Sequence, residues 1–406
     1  MTEDAPSVDW YRDQVIFLTG GTGNLGGCLL YKLVLGLHTK KVYVLCRGSI
    51  RQTIDKLEGS MPEDAPDILD SGKVQFVIGD ITQPQFGLKL TDLEELRFEV
   101  TAVIHSAASI AIFQDLSTAV RNHCLSIQSL IQLLESFHRL EIFLFVSSMS
   151  VNTFLPAGIV SERVYHVVED EISAEKHVTS ILASGQSSYP DAFPVPYAEA
   201  KYLAERLVLE SKASFPVLIV RPSSIGPAIQ HPYPFYGPVD SIPGHSFLHL
   251  LLGRPNYRTY NEIKRFSQDM IMDEIPVDMA ANVCLLHMAS RTCGIIHAGC
   301  QLHVSHTTSE LAAMCKEHTP KEMLKQIAKM NFDRDGALAK QAGETFEHSH
   351  RNWVFDCRRS MHLKKTEGAI GLSVPGHDAN HFLKARVEKQ ARLIAQRINE
   401  QYLGTC

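Results

Sequence analysis

Several features are missing from this 406-residue sequence, and each absence removes a class of protein. It has no run of basic residues and a formal net charge of −6, so no nucleic-acid partner is expected. No apolar stretch approaches the ~20 residues that span a bilayer, so no integral membrane segment is expected. The nine cysteines are odd in number, scattered, and include no CxxC pair. That argues against a disulfide framework and for a reducing compartment. The opening MTEDAPSVDW lacks the charged-then-apolar pattern of a signal peptide. The closing LGTC ends on its cysteine and is no prenylation box. A cytoplasmic protein is expected. Internal repeats and low-complexity tracts are also absent.

What is present is alternation. QVIFLT at 14–19, KVYVLCR at 41–47, KVQFVIGD at 73–80, VTAVIHSA at 100–107, EIFLFVSS at 141–148 and FPVLIVRP at 215–222 are short, β-rich apolar runs. Helical periodicity separates most of them, for example over 115–137. Strands alternating with helices predict an α/β fold, a doubly wound parallel Rossmann sheet covered on both faces. Beyond 222 the texture becomes rich in proline, glycine and aromatics. A helix is expected from about Asp278 and a short strand within 295–304. From 309 on, charged amphipathic helices dominate, with WVFD as the one further strand candidate. This divides the chain into a Rossmann domain over 1–222, a smaller substrate-binding lobe over 223–308 and a mainly helical C-terminal region over 309–406.

TGGTGNLGG places glycines at 20, 21, 23, 26 and 27 between the first strand and the first helix. Glycine is needed where backbone turns sharply and approaches a pyrophosphate, whose charge then meets the helix N-terminus. Gly20, Thr22, Gly23, Asn24, Leu25 and Gly26 are therefore candidate dinucleotide contacts. The second strand ends LCRGSIR, with Arg47 and Arg51 where an acid would select NAD. A guanidinium suits a 2′-phosphate, which favours NADP(H) over a merely solvated arginine. Asp80, with Ile81 beside it, is placed either to reach the adenine edge or to cap a turn.

Tyr197-Ala-Glu-Ala-Lys201 heads a stretch of good helix formers, so its phenol and ammonium share one helix face. Carbonyl reduction needs a proton donor at the oxygen, and the nearby ammonium is expected to lower the phenol toward working pH. The sequence holds a second such spacing at Tyr260 and Lys264. Only the first lies between sheet strands. Ser148, ending the fifth run, can hydrogen-bond a substrate carbonyl, with Ser147 as the alternative. Asn122 is placed either to support the lysine through a water or as a surface asparagine. His303, His306, His348 and His350 lack zinc-site spacing, so no metal is expected.

TGGTGNLGG, VYVLCRG, VIGDITQPQFGL, VIHSAASI, FVSSMSV, PYAEAKYLAERLV, LIVRPSSIGP and DEIPVDMAANV, in that order, resemble the extended short-chain dehydrogenases that comprise fatty acyl-CoA reductases and thioester reductase domains. The resemblance covers residues 15–290. It implies Ser148, Tyr197 and Lys201 as catalytic residues, with Asn122 in support. It also implies His105, Ala107 and Pro222 at the cofactor, alongside Tyr197 and Lys201. Asn24 replaces an aromatic residue common in that family's glycine loop, and NWVFDCRRSMHL resembles a degenerate form of its C-terminal motif. The implied substrate is an acyl thioester on coenzyme A or on an acyl or peptidyl carrier protein, reduced to aldehyde and then optionally to alcohol. A carrier-bound or medium-sized acyl group of a specialised biosynthetic pathway is expected, held by Tyr233, Phe235, Tyr236, Phe247, Leu250 and Leu251. Two other readings stand beside this one. One is a small ketone, aldehyde or nucleotide-sugar enzyme of the same superfamily, and the other is a non-catalytic NADP(H) sensor.

Overall fold

A computed structural model describes residues 8–112, 114–169, 172–238, 270–319, 321 and 352–403. Thirteen strands run in chain order among them. These are β1 (Val15–Thr19), β2 (Lys41–Cys46), β3 (Val74–Ile78), β4 (Ala102–His105), β5 (Ile142–Val146), β6 (Gly158–Val160), β7 (Val217–Pro222), β8 (Ser224–Gly226), β9 (Ile271–Met272), β10 (Glu274–Pro276), β11 (Gly294–Ala298), β12 (His306–Thr307) and β13 (Trp353–Phe355). Seven form one sheet in the order β11-β7-β5-β4-β1-β2-β3, and every neighbouring pair in it is parallel.

The strands are apolar throughout because both faces are covered. In β1 all five residues are buried. Alternation sends Ile16 and Leu18 into a core with Leu25, Leu29 and the helix Val277–Ala289. Val15 and Phe17 point the other way, into a core with Val120, Ile127, Leu203 and Leu207. The chain builds β2 and β3 on one side of β1, then crosses to β4, β5 and β7 on the other. The strand order thus reverses between β1 and β4, where a crevice opens at the carboxyl ends of the strands.

The expected helix over 115–137 is present as Leu116–Val120, a π-helical turn Arg121–Leu125, and Ser126–Leu134. Asp115 caps its start by accepting the Thr118 amide at 2.9 Å. The Tyr197 stretch forms Pro196–Glu210, with its proline in the first turn, where a missing N–H costs nothing.

Smaller pairings surround this frame. β8 pairs with β10, β9 with β12, and β13 with β6 in parallel register, Trp353 opposite Gly158. The strand over 158–160 was not legible in the sequence, because three residues carry no periodicity. Asp278, in the first turn of the helix Val277–Ala289, accepts the amides of Gln230 at 2.8 Å and His231 at 3.2 Å, anchoring the segment after β8. Arg386 on the C-terminal helix Ala379–Leu403 pairs with Glu274 on β10. Among the described residues, no helix is long and apolar enough to cross a membrane, and every cysteine is a free thiol.

Candidate active site

Because the seven sheet strands are parallel, their carboxyl ends share one edge, and the candidate residues gather there. Gly20 follows β1, Arg47 follows β2, and Asp80 and Ile81 follow β3. His105 ends β4, Ser148 lies just past β5, and Pro222 ends β7.

The glycine turn is tightly built. Gly20 has φ +77°, and a Cβ there would lie 2.7 Å from the Ala107 amide nitrogen. A Cβ on Gly26 would lie 2.0 Å from the Gly20 carbonyl oxygen. Only glycine lets the first turn of helix Asn24–Tyr31 lie against the strand end. Gly23 is exposed at the helix start and its amide donates to the Gly20 carbonyl at 2.9 Å. Thr22 and Asn24 are half-buried and Leu25 is buried. The Asn24 Oδ1 is buried without a hydrogen-bond partner. Thr19 Oγ1 meets His105 Nδ1 at 2.8 Å, tying β1 to β4 across the crevice. Burial, and then the Lys201 charge, push His105 down to about 3, so its imidazole is neutral.

A dinucleotide fits these groups. The helix start offers amides with no intrahelical acceptor, the loop is glycine, and no acid stands at the end of β2. The two arginines there part company. Arg51 pairs with Asp55 at 2.8 Å, one helical turn on. Arg47 is exposed, and among the described residues no carboxylate pairs with it. Asp80 Oδ1 accepts from the Thr82 amide at 2.9 Å and from its hydroxyl at 2.8 Å, so one carboxylate oxygen caps a turn.

Ser148, Tyr197 and Lys201 come together from a strand end and a helix. The Tyr197 hydroxyl lies close enough to the Ser148 side chain for Ser148 to lower the phenol. Ser148 Oγ also accepts from the Ser150 amide at 3.1 Å. Lys201 is buried, and its ammonium donates to the Val146 carbonyl at 3.0 Å. Ser147 separates from Ser148. Its hydroxyl donates at 2.7 Å to Glu205, further along the helix that carries Tyr197.

The expected effect of the lysine on the tyrosine is not what the structure shows. Desolvation pushes Tyr197 up to about 12, against a smaller lowering from Ser148. Lys201 spends its donor on Val146, and burial pushes it down to about 8 despite the raising influence of Glu205 and Cys124. The phenol therefore keeps its proton at neutral pH. Asn122 and His123 both lie in the π-helical turn, a feature that often re-aims side chains at functional sites. Asn122 Nδ2 donates to Gln114 Oε1 at 3.1 Å. The His123 ring stands edge-to-face with Tyr197, centroids 5.4 Å apart.

Residues 18–284 match the NAD-binding family described as male sterility protein, about two thirds of the chain. The chain belongs to that family. Fatty acyl-CoA reductase 1 of Gallus gallus is 29% identical over 294 residues, covering 68% of this chain and 55% of that protein. Putative fatty acyl-CoA reductase CG8306 of Drosophila melanogaster is 27% identical over 293 residues, covering 68% and 55%. The chain thus spans about half the length of the curated relatives it matches. Among solved structures, the terminal R domain of the myxalamid PKS-NRPS pathway superposes with a TM-score of 0.64 at 18% identity, over 94% of this chain and 91% of that one. The likeness supports the Rossmann fold, and the family match bears out the resemblance read from the motifs.

Within this family frame, sequence reasoning passed over Thr19, His123, Glu205 and Arg221. Glu205 carried a signal, four residues after Lys201 on the same helix face. His123 carried none. Among the expected cleft residues, Tyr236 is buried and donates to the Asn24 carbonyl at 3.3 Å, packing on the glycine-turn helix. Tyr233 donates to the Ser60 carbonyl at 2.8 Å, and Phe235 stacks on Phe382 at 4.8 Å. Phe247, Leu250, Leu251, Tyr260, Lys264, His348 and His350 lie outside the described residues. His303 Nε2 meets His377 Nε2 at 3.0 Å.

Proposed function

We propose that the chain reduces an acyl thioester, on coenzyme A or a carrier protein, to the aldehyde, with NADP(H) as its cofactor. One observation carries this reading: Ser148 and Tyr197 stand beside each other at the sheet edge that carries the glycine turn, with Lys201 one helical turn on from Tyr197. The names of the curated relatives, fatty acyl-CoA reductases, supply the substrate class. A solved neighbour described as a thiolation-reductase di-domain of an archaeal non-ribosomal peptide synthetase, with a TM-score of 0.64 at 17% identity over 95% of this chain and 76% of that one, is compatible with a carrier-bound alternative.

Gly20, Thr22, Gly23, Asn24, Leu25 and Gly26 would hold the pyrophosphate, and Arg47 the 2′-phosphate. Asp80, Ile81, His105, Ala107 and Pro222 would line the rest of the crevice. When bound, the reduced nicotinamide supplies hydride to the thioester carbonyl carbon. Ser148 and Tyr197 hydrogen-bond the carbonyl oxygen as charge gathers on it. Tyr197, held as a neutral phenol, gives that oxygen its proton. Lys201 orients the nicotinamide ribose, with Asn122 supporting it. The hemithioacetal then loses its C–S bond, releasing thiol and leaving aldehyde.

The test is stoichiometric. With octanoyl-CoA, NADPH consumed in the first reduction and free thiol released should appear in equal amounts. NADPH oxidation confined to free aldehydes or ketones, with no thiol from any thioester, would make the small-carbonyl reading the better one.

A further inference from the structure

Glu205 is 3% exposed and lies one turn beyond Lys201 on the helix Pro196–Glu210. Its Oε2 accepts from Ser147 Oγ at 2.7 Å and from Arg221 Nε at 3.0 Å, and its Oε1 pairs with the same guanidinium. Arg221, on β7, also donates to the Arg163 carbonyl at 3.0 Å. A buried ion pair of this kind is weak evidence for stability, since apolar replacements of similar volume often serve as well. Its neighbours suggest another use.

Lys201 donates to Val146 and Ser147 donates to Glu205, so two consecutive residues at the end of β5 are each tied to the catalytic helix, and Ser148 after them stands beside Tyr197. The titratable groups facing Lys201 are His105 from β4, His123 and Cys124 from the π-helical turn, and Glu205 from its own helix, with Arg221 behind Glu205. Burial keeps both imidazoles and the thiol neutral. Glu199, on the intervening turn, accepts instead from Ser187 at 2.7 Å. Among the described residues, Glu205 is the negative charge left to offset the buried ammonium.

We propose that Glu205 is a positioning residue, whose carboxylate keeps the Lys201 ammonium charged and, through Ser147, fixes the strand end that presents Ser148. This rests on the assignment of Lys201 and Ser148 to the reducing site. Glu205→Gln keeps the shape and an acceptor for Ser147 but removes the charge. The readout is the dissociation constant of NADPH, followed by its fluorescence from pH 6 to 10, which needs no substrate. In the wild type, affinity should fall as Lys201 loses its proton near pH 8. In Glu205→Gln that fall should begin at least one pH unit lower, giving at least fivefold weaker binding at pH 8 and near-equal binding at pH 6. Glu210→Gln, which removes a carboxylate from the same helix that pairs with Arg206, should lower thermal stability without moving the fall. If Glu205→Gln does not fold, the double variant Glu205→Met with Arg221→Leu replaces the pair with apolar side chains and should show a smaller displacement in the same direction, because the Arg221 cation is removed as well. A wild-type curve without an alkaline fall, or a variant curve that superimposes on it, overturns the proposal. A displaced curve from a protein that releases no thiol from any acyl thioester would leave the positioning role standing and sink the thioester reading.

Discussion

Arg47 and Arg51 differ by four positions and have different surroundings. Arg51 is satisfied by Asp55, an exposed helical pair of small energetic weight. Arg47 leaves the sheet edge at the end of β2 with its guanidinium exposed. In the proposed reading it is the residue that separates NADPH from NADH. NADPH should bind the wild type at least tenfold tighter than NADH. Arg47→Ala should erode that preference by about 1–3 kcal/mol, the scale of a charge-assisted hydrogen bond. Titrations with both nucleotides measure it, and equal wild-type affinities would defeat the assignment. Tyr197 shows how residue-scale reasoning fails when solvent is left out. Spacing alone argues for an ammonium beside the phenol and a lowered pKa, but desolvation outweighs it and raises the phenol to about 12. A tyrosine protonated at neutral pH is still a competent donor.

At the scale of elements, the glycine turn is held by contact. The Gly20 carbonyl, Ser106 and the Ala107 amide occupy the space in which side chains at 20 and 26 would have to fit. Gly26→Ala would place a methyl 2.0 Å from the Gly20 oxygen and 2.6 Å from its carbonyl carbon, backbone atoms that cannot rotate away. The turn must shift, at a cost of about 1–3 kcal/mol for overpacking. Thermal denaturation should register that loss, and NADPH should bind at least tenfold more weakly because the amides move. A Gly26→Ala protein that binds NADPH normally would show that the helix start is not the phosphate site. The catalytic helix is the best-anticipated element. Pro196 in its first turn, good helix formers after it and a strand on either side made both its span and its face legible. The π-helical turn Arg121–Leu125 was not legible, because a periodic apolar stripe does not reveal one extra residue in a turn.

The whole molecule carries a further consequence in its buried histidines. His105, His123, His287 and His297 are each pushed down to about 3, with burial as the largest cause. In the unfolded chain they titrate near ~6.5. Between those values the unfolded state binds more protons, so stability rises with pH across that window and is lost as acid is added. The buried carboxyls of Glu162, Glu199 and Asp273 are raised and act in the opposite sense, with Glu199 reaching about 6. Four imidazoles displaced over a wider span should outweigh them. The melting temperature is expected to fall steadily from pH 7 to pH 5, and a flat profile by differential scanning calorimetry would contradict this. Adjacent to the candidate site, the same neutrality keeps His105 a fixed hydrogen-bonding partner for Thr19.

The sequence by itself determined the parallel sheet, the glycine turn and the helix that pairs Tyr197 with Lys201. Each of these depends on local order: apolar runs of strand length, glycine where backbone must approach backbone, and a spacing of one helical turn. Only the tertiary structure decided which serine faces the tyrosine, where the Lys201 ammonium points, and that Glu205 and Arg221 form a buried pair behind them. Those outcomes join residues up to 58 positions apart, Ser147 with Glu205 and Arg163 with Arg221. They turn on burial, which sets both the direction of a pKa and the partners within reach. Burial belongs to the packed molecule, and no window along the chain contains it.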